Sequence, residues 1–169
     1  MLIEAKMKTT KEKNKTLCKK YPFLIPRNAF SGKRITEGKG FWPGSPEAEP
    51  EYDWEFTELD NMPTGWRIAF GEQLCDELKA ELDKAGLTDK YHIIQIKEKY
   101  GSLRWYDAGN TAKGHEIIRK YETLSEKICI RCGKPATRIT TGWISPYCDD
   151  CLPKYNGKKV CSIPIEESE

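Results

Sequence analysis

Cys129-Ile130-Arg131-Cys132-Gly133 and Cys148-Asp149-Asp150-Cys151 together spell C-x2-C-x15-C-x2-C. This spacing lets two tight thiolate pairs close around one tetrahedral zinc ion. The two-residue gap within each pair turns both sulfurs toward one centre, and Gly133 can take the left-handed backbone that such a knuckle needs. Between the pairs, residues 136–141 and 143–145 flank Gly142 and read as a small β-hairpin. Residues 129–152 are therefore predicted to form a zinc ribbon with Cys129, Cys132, Cys148 and Cys151 as ligands. Two disulfides or four unrelated thiols are the alternative, and the spacing fits them less well. A catalytic zinc keeps an open position for water, whereas four thiolates fill the shell, so the predicted zinc is structural. Asp149 and Asp150 then have no open metal site to serve and read as solvated turn residues.

Outward from the ribbon, 169 residues allow one main core with a small metal-held module attached. Of the seven cysteines, the zinc takes four and leaves Cys18, Cys75 and Cys161 with no pairing scheme, a usage that suits a reducing cytoplasm. Residues 1–8 lack the apolar run of a secretory signal, and no segment reaches the length of a bilayer span, so a soluble cytoplasmic protein is expected. The net charge is only +2, but it is unevenly spread. Residues 1–20 carry seven lysines against Glu4 and Glu12, which predicts a basic, flexible, solvated arm able to attract nucleic acid. Residues 46–60 carry seven acids and no base.

Residues 21–50 are rich in proline and glycine and predict an extended arm. Its apolar cluster, Tyr21-Pro22-Phe23-Leu24-Ile25-Pro26, should lie across the domain. In residues 51–56 aromatic and acidic side chains alternate as in a half-buried strand. Trp66, Phe70, Leu74, Leu78 and Leu82 recur every four residues and Gly86 follows, which predicts a helix over 65–85. Residues 91–98 and 102–106 should pair as a β-hairpin, with Ile94, Ile96, Leu103 and Trp105 on the apolar face. A second helix is expected over 111–127, burying Ile117, Ile118, Tyr121, Leu124 and Ile128 and running into the first knuckle. The predicted fold is α+β: two helices on a small antiparallel hairpin, spanning 51–128, with the ribbon at 129–152 and a tail at 153–169.

An active site is hard to assemble from these residues. Asp53, Glu55, Glu58 and Asp60, with Gln95 and Lys97 on the first hairpin strand, loosely suggest a metal-dependent nuclease, although acids on an exposed strand face are usually just solvated. His92 and His115 are not spaced with a nucleophile or a ligand, and neither a glycine-rich phosphate loop nor a serine elbow occurs. Cys75 falls near the apolar face of the first predicted helix and reads as core.

Residues 96–106, Ile-Lys-Glu-Lys-Tyr-Gly-Ser-Leu-Arg-Trp-Tyr, together with the ribbon and its Gly142-Trp143-Ile144-Ser145, resemble a family of small phage and prophage proteins. Tyr21 to Asn28, Gly65-Trp66-Arg67 and Gln73-Leu74-Cys75 extend that resemblance over most of 17–151. It implies phage origin, a zinc ribbon and no established enzymology. The chain also resembles a metal-binding anti-CRISPR protein. That implies a non-enzymatic inhibitor that binds a Cas9-type nuclease and blocks guide or target loading. The acids Asp53, Glu55, Glu58, Asp60, Glu72 and Asp76 would then face a basic channel, with Trp42, Tyr52 and Trp54 as anchors. Two other functions stay open. One is a nucleic-acid-binding accessory role using the lysine arm with Arg131, Lys134 and Arg138; the other is the nuclease.

Overall fold

The computed structural model describes residues 2–27 and 54–165. Its helices are α1 (Leu2–Lys20), α2 (Thr64–Trp66), α3 (Glu72–Ala85) and α4 (Ala112–Ser125), with a π-helical turn at Arg67–Gly71 joining α2 to α3. The strands form three small antiparallel sheets: β1 (His92–Lys99) with β2 (Ser102–Ala108); β3 (Arg138–Thr140) between β4 (Pro146–Tyr147) and β7 (Ser162–Pro164); and β5 (Lys154–Tyr155) with β6 (Lys158–Lys159). The α+β class with a C-terminal four-cysteine ribbon is therefore as expected.

Helix α1 corrects the expectation of a flexible basic arm. Asn14, Leu17, Cys18 and Tyr21 sit at i, i+3, i+4 and i+7, one helical face. Asn14, Cys18 and Tyr21 are buried and Leu17 packs against the core. Lysine is itself a good helix former, so a lysine-rich sequence with this stripe folds once the stripe has somewhere to pack. Asn14 Nδ2 donates to the carbonyl of Trp54 at 2.8 Å, which ties the helix to the chain leading into the core. The cluster Tyr21–Ile25 docks as expected: Tyr21, Phe23, Leu24 and Ile25 all belong to the core. The core thus takes in residues from both segments placed outside it by the boundaries at 20 and 50.

Trp66, Phe70, Leu74, Leu78 and Leu82 are all fully buried. A strict four-residue repeat drifts about 40° per step around an ideal α-helix. The π turn at Arg67–Gly71 underwinds the helix locally and takes back part of that drift, which keeps Trp66 and Phe70 on the core side. Gly86, at φ 67°, ends α3 by donating to the carbonyls of Leu82 and Asp83.

In the β1–β2 hairpin the buried pair on β1 is Ile93 and Ile96, not Ile94 and Ile96. The register passes from Ile93↔Asp107 to Gln95↔Tyr106, so Ile94 is an extra, bulged residue that flips the phase of the strand. Leu103 and Trp105 are buried as expected. The outer edge of β2 is closed by α4: Ser125 Oγ accepts from Leu103 N at 2.8 Å and Glu122 Oε1 from Trp105 N at 3.0 Å. Ile118 and Tyr121 of α4 are buried, while Ile117, Leu124 and Ile128 pack against the core from its margin.

Two further expectations need correction. Residues 54–56 are not a strand, and Trp54 has φ 65°. Nor is 153–169 a loose tail throughout, because β7 pairs with β3 and completes the ribbon sheet. Among the described residues no helix is long and apolar enough to cross a membrane.

Candidate metal centre

The first knuckle is a tight turn in which Gly133 N donates to Cys129 O at 3.0 Å and Cys129 N to Lys134 O at 2.7 Å. Gly133 has φ 79°, the left-handed conformation anticipated for it. The second knuckle closes with Cys151 N donating to Cys148 O at 3.1 Å, and Asp149 accepts from Thr137 Oγ1 at 2.7 Å. These turns bring the four sulfurs of Cys129, Cys132, Cys148 and Cys151 within 4.8 Å of one another. The Cys132 and Cys148 sulfurs are 3.6 Å apart. Sulfurs at the corners of a tetrahedral site with bonds of about 2.3 Å lie about 3.8 Å apart, so the cluster can hold a metal ion of that size. Among the described residues it is the one group of three or more His, Cys, Asp or Glu side chains close enough to share an ion.

The protonation pattern points the same way. Burial pushes the Cys129 thiol up, but backbone N–H groups of Cys148, Arg131 and Cys132 directed at its sulfur outweigh that and bring it down to about 7. Cys151 is pushed up to about 12, chiefly by the hydrogen bond it shares with Cys132 and then by burial. Cys148 is also raised, first by burial. Packed this tightly, the Cys129 sulfur ionises readily while Cys148 and Cys151 resist. A divalent cation removes that conflict and holds all four as thiolates. Cys18, pushed up to about 12 by burial, and Cys75, raised further by the same cause, are inert core thiols.

The centre is bolted to the core through two glycines. Gly65 N donates to Ile130 O at 2.9 Å, and Trp66 Nε1 donates to Ile128 O at 3.0 Å. A Cβ on Gly65 would stand 2.1 Å from Cys129 O, and one on Gly133 would stand 2.7 Å from Gly65 O. The two backbones touch, and only glycine fits at either side. Sequence reasoning placed Gly133 in the knuckle but missed its partner. The available signal was a glycine at the start of a helix, where it weakens the helix it belongs to.

The acidic and aromatic candidates fare differently. Trp42, Tyr52 and Asp53 lie outside the described residues. Trp54 packs against the core, and Glu55 pairs with Lys11 at 2.8 Å. Asp60 accepts from the Thr57 backbone N–H and hydroxyl, at 2.6 and 2.9 Å, in the capping box of a short 3-10 helix, Glu58–Asn61, and pairs with Arg67. Asp76 accepts from Tyr21 Oη at 2.7 Å and pairs with Lys20 at 2.8 Å; these contacts hold its carboxyl below the usual range, Lys20 contributing most. Glu72 is exposed on α3. Along the same helix Glu77 pairs with Lys120 and Asp83 with Lys79, so much of the acidic face is neutralised within the fold. Of the nuclease candidates on β1, Gln95 is half-buried and Lys97 lies over the Tyr106 ring, 5.2 Å from its centroid. His115 faces Asp107 at 3.3 Å and His92 opens β1.

Glu58 is buried at 6% exposure, with Asn61 Nδ2 donating to it at 3.0 Å. Burial raises its carboxyl from 4.5 to about 7, against the smaller opposing effect of Asn61. The native state therefore holds this proton to higher pH than the unfolded chain does. The fold bears no penalty below pH 4.5, a growing one between 4.5 and 7, and the full one above. Glu58→Gln keeps the acceptor for Asn61 and removes the charge. It is expected to stabilise the protein by roughly 3 kcal/mol at pH 8, with the gain over the parent shrinking steadily toward pH 5. Denaturant titrations of both proteins at several pH values check this, and a gain independent of pH refutes it.

Searches of family models, of curated proteins and of solved structures return no match to this chain.

Proposed function

We propose that the chain is a non-enzymatic binding protein whose ribbon, stapled by a structural zinc ion, contacts nucleic acid. The observation that carries this reading is the donor set. Four thiolates within reach of one ion complete a tetrahedral shell and leave no position for an activated water, so the metal serves the shape of a surface. All-sulfur tetrahedral donors favour zinc among the common divalent ions. The charge of the module supports the choice of partner: residues 129–165 hold six Lys or Arg and two acids, Asp149 and Asp150, ahead of the acidic end Glu166-Glu167-Ser168-Glu169. The site counts formally about −2 when four thiolates bind one divalent ion, and the module stays positive. Arg138 is not part of that contact, since Nε donates to Ser162 Oγ at 2.8 Å and Nη2 to Ser162 O at 3.1 Å, stapling β3 to β7. Arg131 and Lys134 are exposed. The test is an oligonucleotide-binding titration of the metal-loaded chain, with salt-dependent affinity expected. Absence of binding at low salt rejects the reading.

A second reading, inhibition of a Cas9-type effector by protein contact, rests on the resemblance and on Ile68. This side chain is 68% exposed on the π turn near Glu72, an apolar anchor beside an acid. Co-elution with such an effector on gel filtration, lost in Ile68→Asp, is expected if it holds; failure to co-elute removes it.

A further inference from the structure

Three turns each present an aromatic ring to solvent, and contacts near their stems link each to the β3–β4 loop. The β1–β2 turn carries Tyr100, 73% exposed; the β3–β4 loop carries Trp143, 81% exposed; the β5–β6 turn carries Tyr155 at its base, 76% exposed. The first two meet directly. A Cβ on Gly101 would sit 3.2 Å from Ile144 Cγ2, so Tyr100 and Trp143 flank one contact between the hairpin tip and the ribbon loop. The third hairpin is closed at its stem by Val160 N to Pro153 O, 3.0 Å, and the next residue after that stem, Cys161, accepts from Thr141 N of the loop at 3.1 Å.

The Trp143 loop is built to hold its shape. Thr140 Oγ1 donates to Trp143 O and accepts from Ser145 N at 2.9 Å, so one buried hydroxyl fixes both ends of the loop. Tyr100 is held at a cost. It has φ 54° followed by Gly101 at 79°, the pair of left-handed residues of a tight hairpin turn, where asparagine or glycine is the unstrained choice for the first position. The β5–β6 turn uses that choice, Asn156 at 50° and Gly157 at 76°. An exposed tyrosine in a left-handed position gives the fold no evident return for its strain, which makes this turn a candidate contact site.

Cations stand beside two of these rings, Tyr100 and Tyr155. Lys99 Nζ lies 5.6 Å from the Tyr100 ring centroid. In the β5–β6 hairpin Lys154 stands directly opposite Lys159, and Lys158 opposite Tyr155, all of them exposed. Like charges facing each other across two strands destabilise the pair, and an anion between them relieves the repulsion. Five lysines elsewhere, Lys11, Lys20, Lys79, Lys113 and Lys120, each reach a carboxylate. Near the turns, Glu98 is engaged by Gly101 N at 2.6 Å, and Asp149 and Asp150 lie in the second knuckle.

We propose that these three turns form one binding surface for single-stranded nucleic acid, with bases stacking on Tyr100, Trp143 and Tyr155 and phosphates meeting Lys99, Lys154, Lys158 and Lys159. This deepens the nucleic-acid reading above and rests on it. Rings on separate loops fit unstacked bases, which a duplex does not offer, and stacking accepts any sequence.

The experiment is fluorescence anisotropy of the zinc-loaded full chain with a labelled 20-nucleotide oligothymidylate and with a hairpin duplex. The single strand is expected to bind more tightly, with a log–log salt slope of about −3 for four phosphate contacts. Trp143→Ala and Tyr100→Asn should each weaken single-strand binding by about 5- to 150-fold. Tyr100→Asn should leave the melting temperature unchanged or raise it, which separates loss of contact from loss of fold. Replacing Lys154, Lys158 and Lys159 together by Gln should flatten the slope to about −1. Equal binding to duplex with no effect of the ring substitutions overturns the stacking surface and leaves the nucleic-acid reading standing. No binding to either probe overturns both. Loss of effector co-elution in Trp143→Ala, without oligonucleotide binding, reassigns the surface to a protein partner.

Discussion

Removing the ion that the four-cysteine cluster can hold is expected to unfold the ribbon. The four-cysteine module has almost no apolar interior: in residues 129–165 the buried hydrophobic side chains are Cys129, Cys148 and Leu152, and none belongs to the main core cluster. Its strands are two or three residues long, too short to hold a sheet without another support. In such modules zinc binding contributes about 10–16 kcal/mol of apparent free energy at neutral pH, and most of it is folding free energy. Elemental analysis should find one zinc per chain. A strong chelator, or Cys132→Ser, should abolish amide protection across β3, β4 and β7 while that of β1, β2 and α3 survives, because the latter pack on the main core. Acidification should act like the chelator, since protons compete with the metal for the thiolates. Cys161→Ser is the control: Cys161 is exposed and outside the cluster, so its replacement should change nothing. A ribbon that keeps its protection without metal would show that the thiols are not what folds it.

Why the ribbon was legible in the sequence and α1 was not comes down to what each signal requires. Four thiols at C-x2-C spacing determine their own geometry locally, as the knuckle hydrogen bonds around Gly133 and Cys151 show. The long helix was legible because Trp66 to Leu82 form an unbroken apolar stripe, and its four-residue step even carried the mark of the π turn. Helix α1 has its own stripe, but one member is Asn14 and another Cys18, so its apolar character is weak beside the lysines around it. It folds because Tyr21, Cys18 and Asn14 find a core assembled from distant segments, which local pattern does not report. The phase of β1 was misread for a related reason. Ile93, Ile94 and Ile96 are equivalent by type, and only the bulge, set by pairing with β2, decides which of them faces inward. The acidic candidates looked like a docking face because composition shows charges and not their partners. Asp60 and Asp76 turned out to serve a helix cap and a buried tyrosine.

The join between ribbon and core is more sensitive to a single methyl group than the metal site is to many surface changes. Gly65→Ala places Cβ 2.1 Å from Cys129 O and 2.6 Å from the Ile130 carbonyl carbon. Both are backbone atoms of the first knuckle, held by the hydrogen bonds that shape it, so neither can yield without distorting the other. Overpacking of this kind costs about 1–3 kcal/mol where side chains can adjust, and more where only backbone can move. The expected result is a loss of about 3 kcal/mol or more, with the Gly65–Ile130 and Trp66–Ile128 hydrogen bonds broken and the ribbon undocked. Exposure of Trp66, fully buried in the parent, gives the readout through fluorescence. Gly86→Ala separates this from a generic effect of replacing glycine. Gly86 has φ 67° but nothing within 4 Å of its added Cβ, so only the backbone strain of a left-handed alanine applies, about 1 kcal/mol. If Gly65→Ala costs no more than Gly86→Ala, the knuckle is not seated on the helix as described. If it costs much more while zinc content stays at one per chain, the cradle between Gly65 and Gly133 is what transmits the shape fixed by the metal to the rest of the fold.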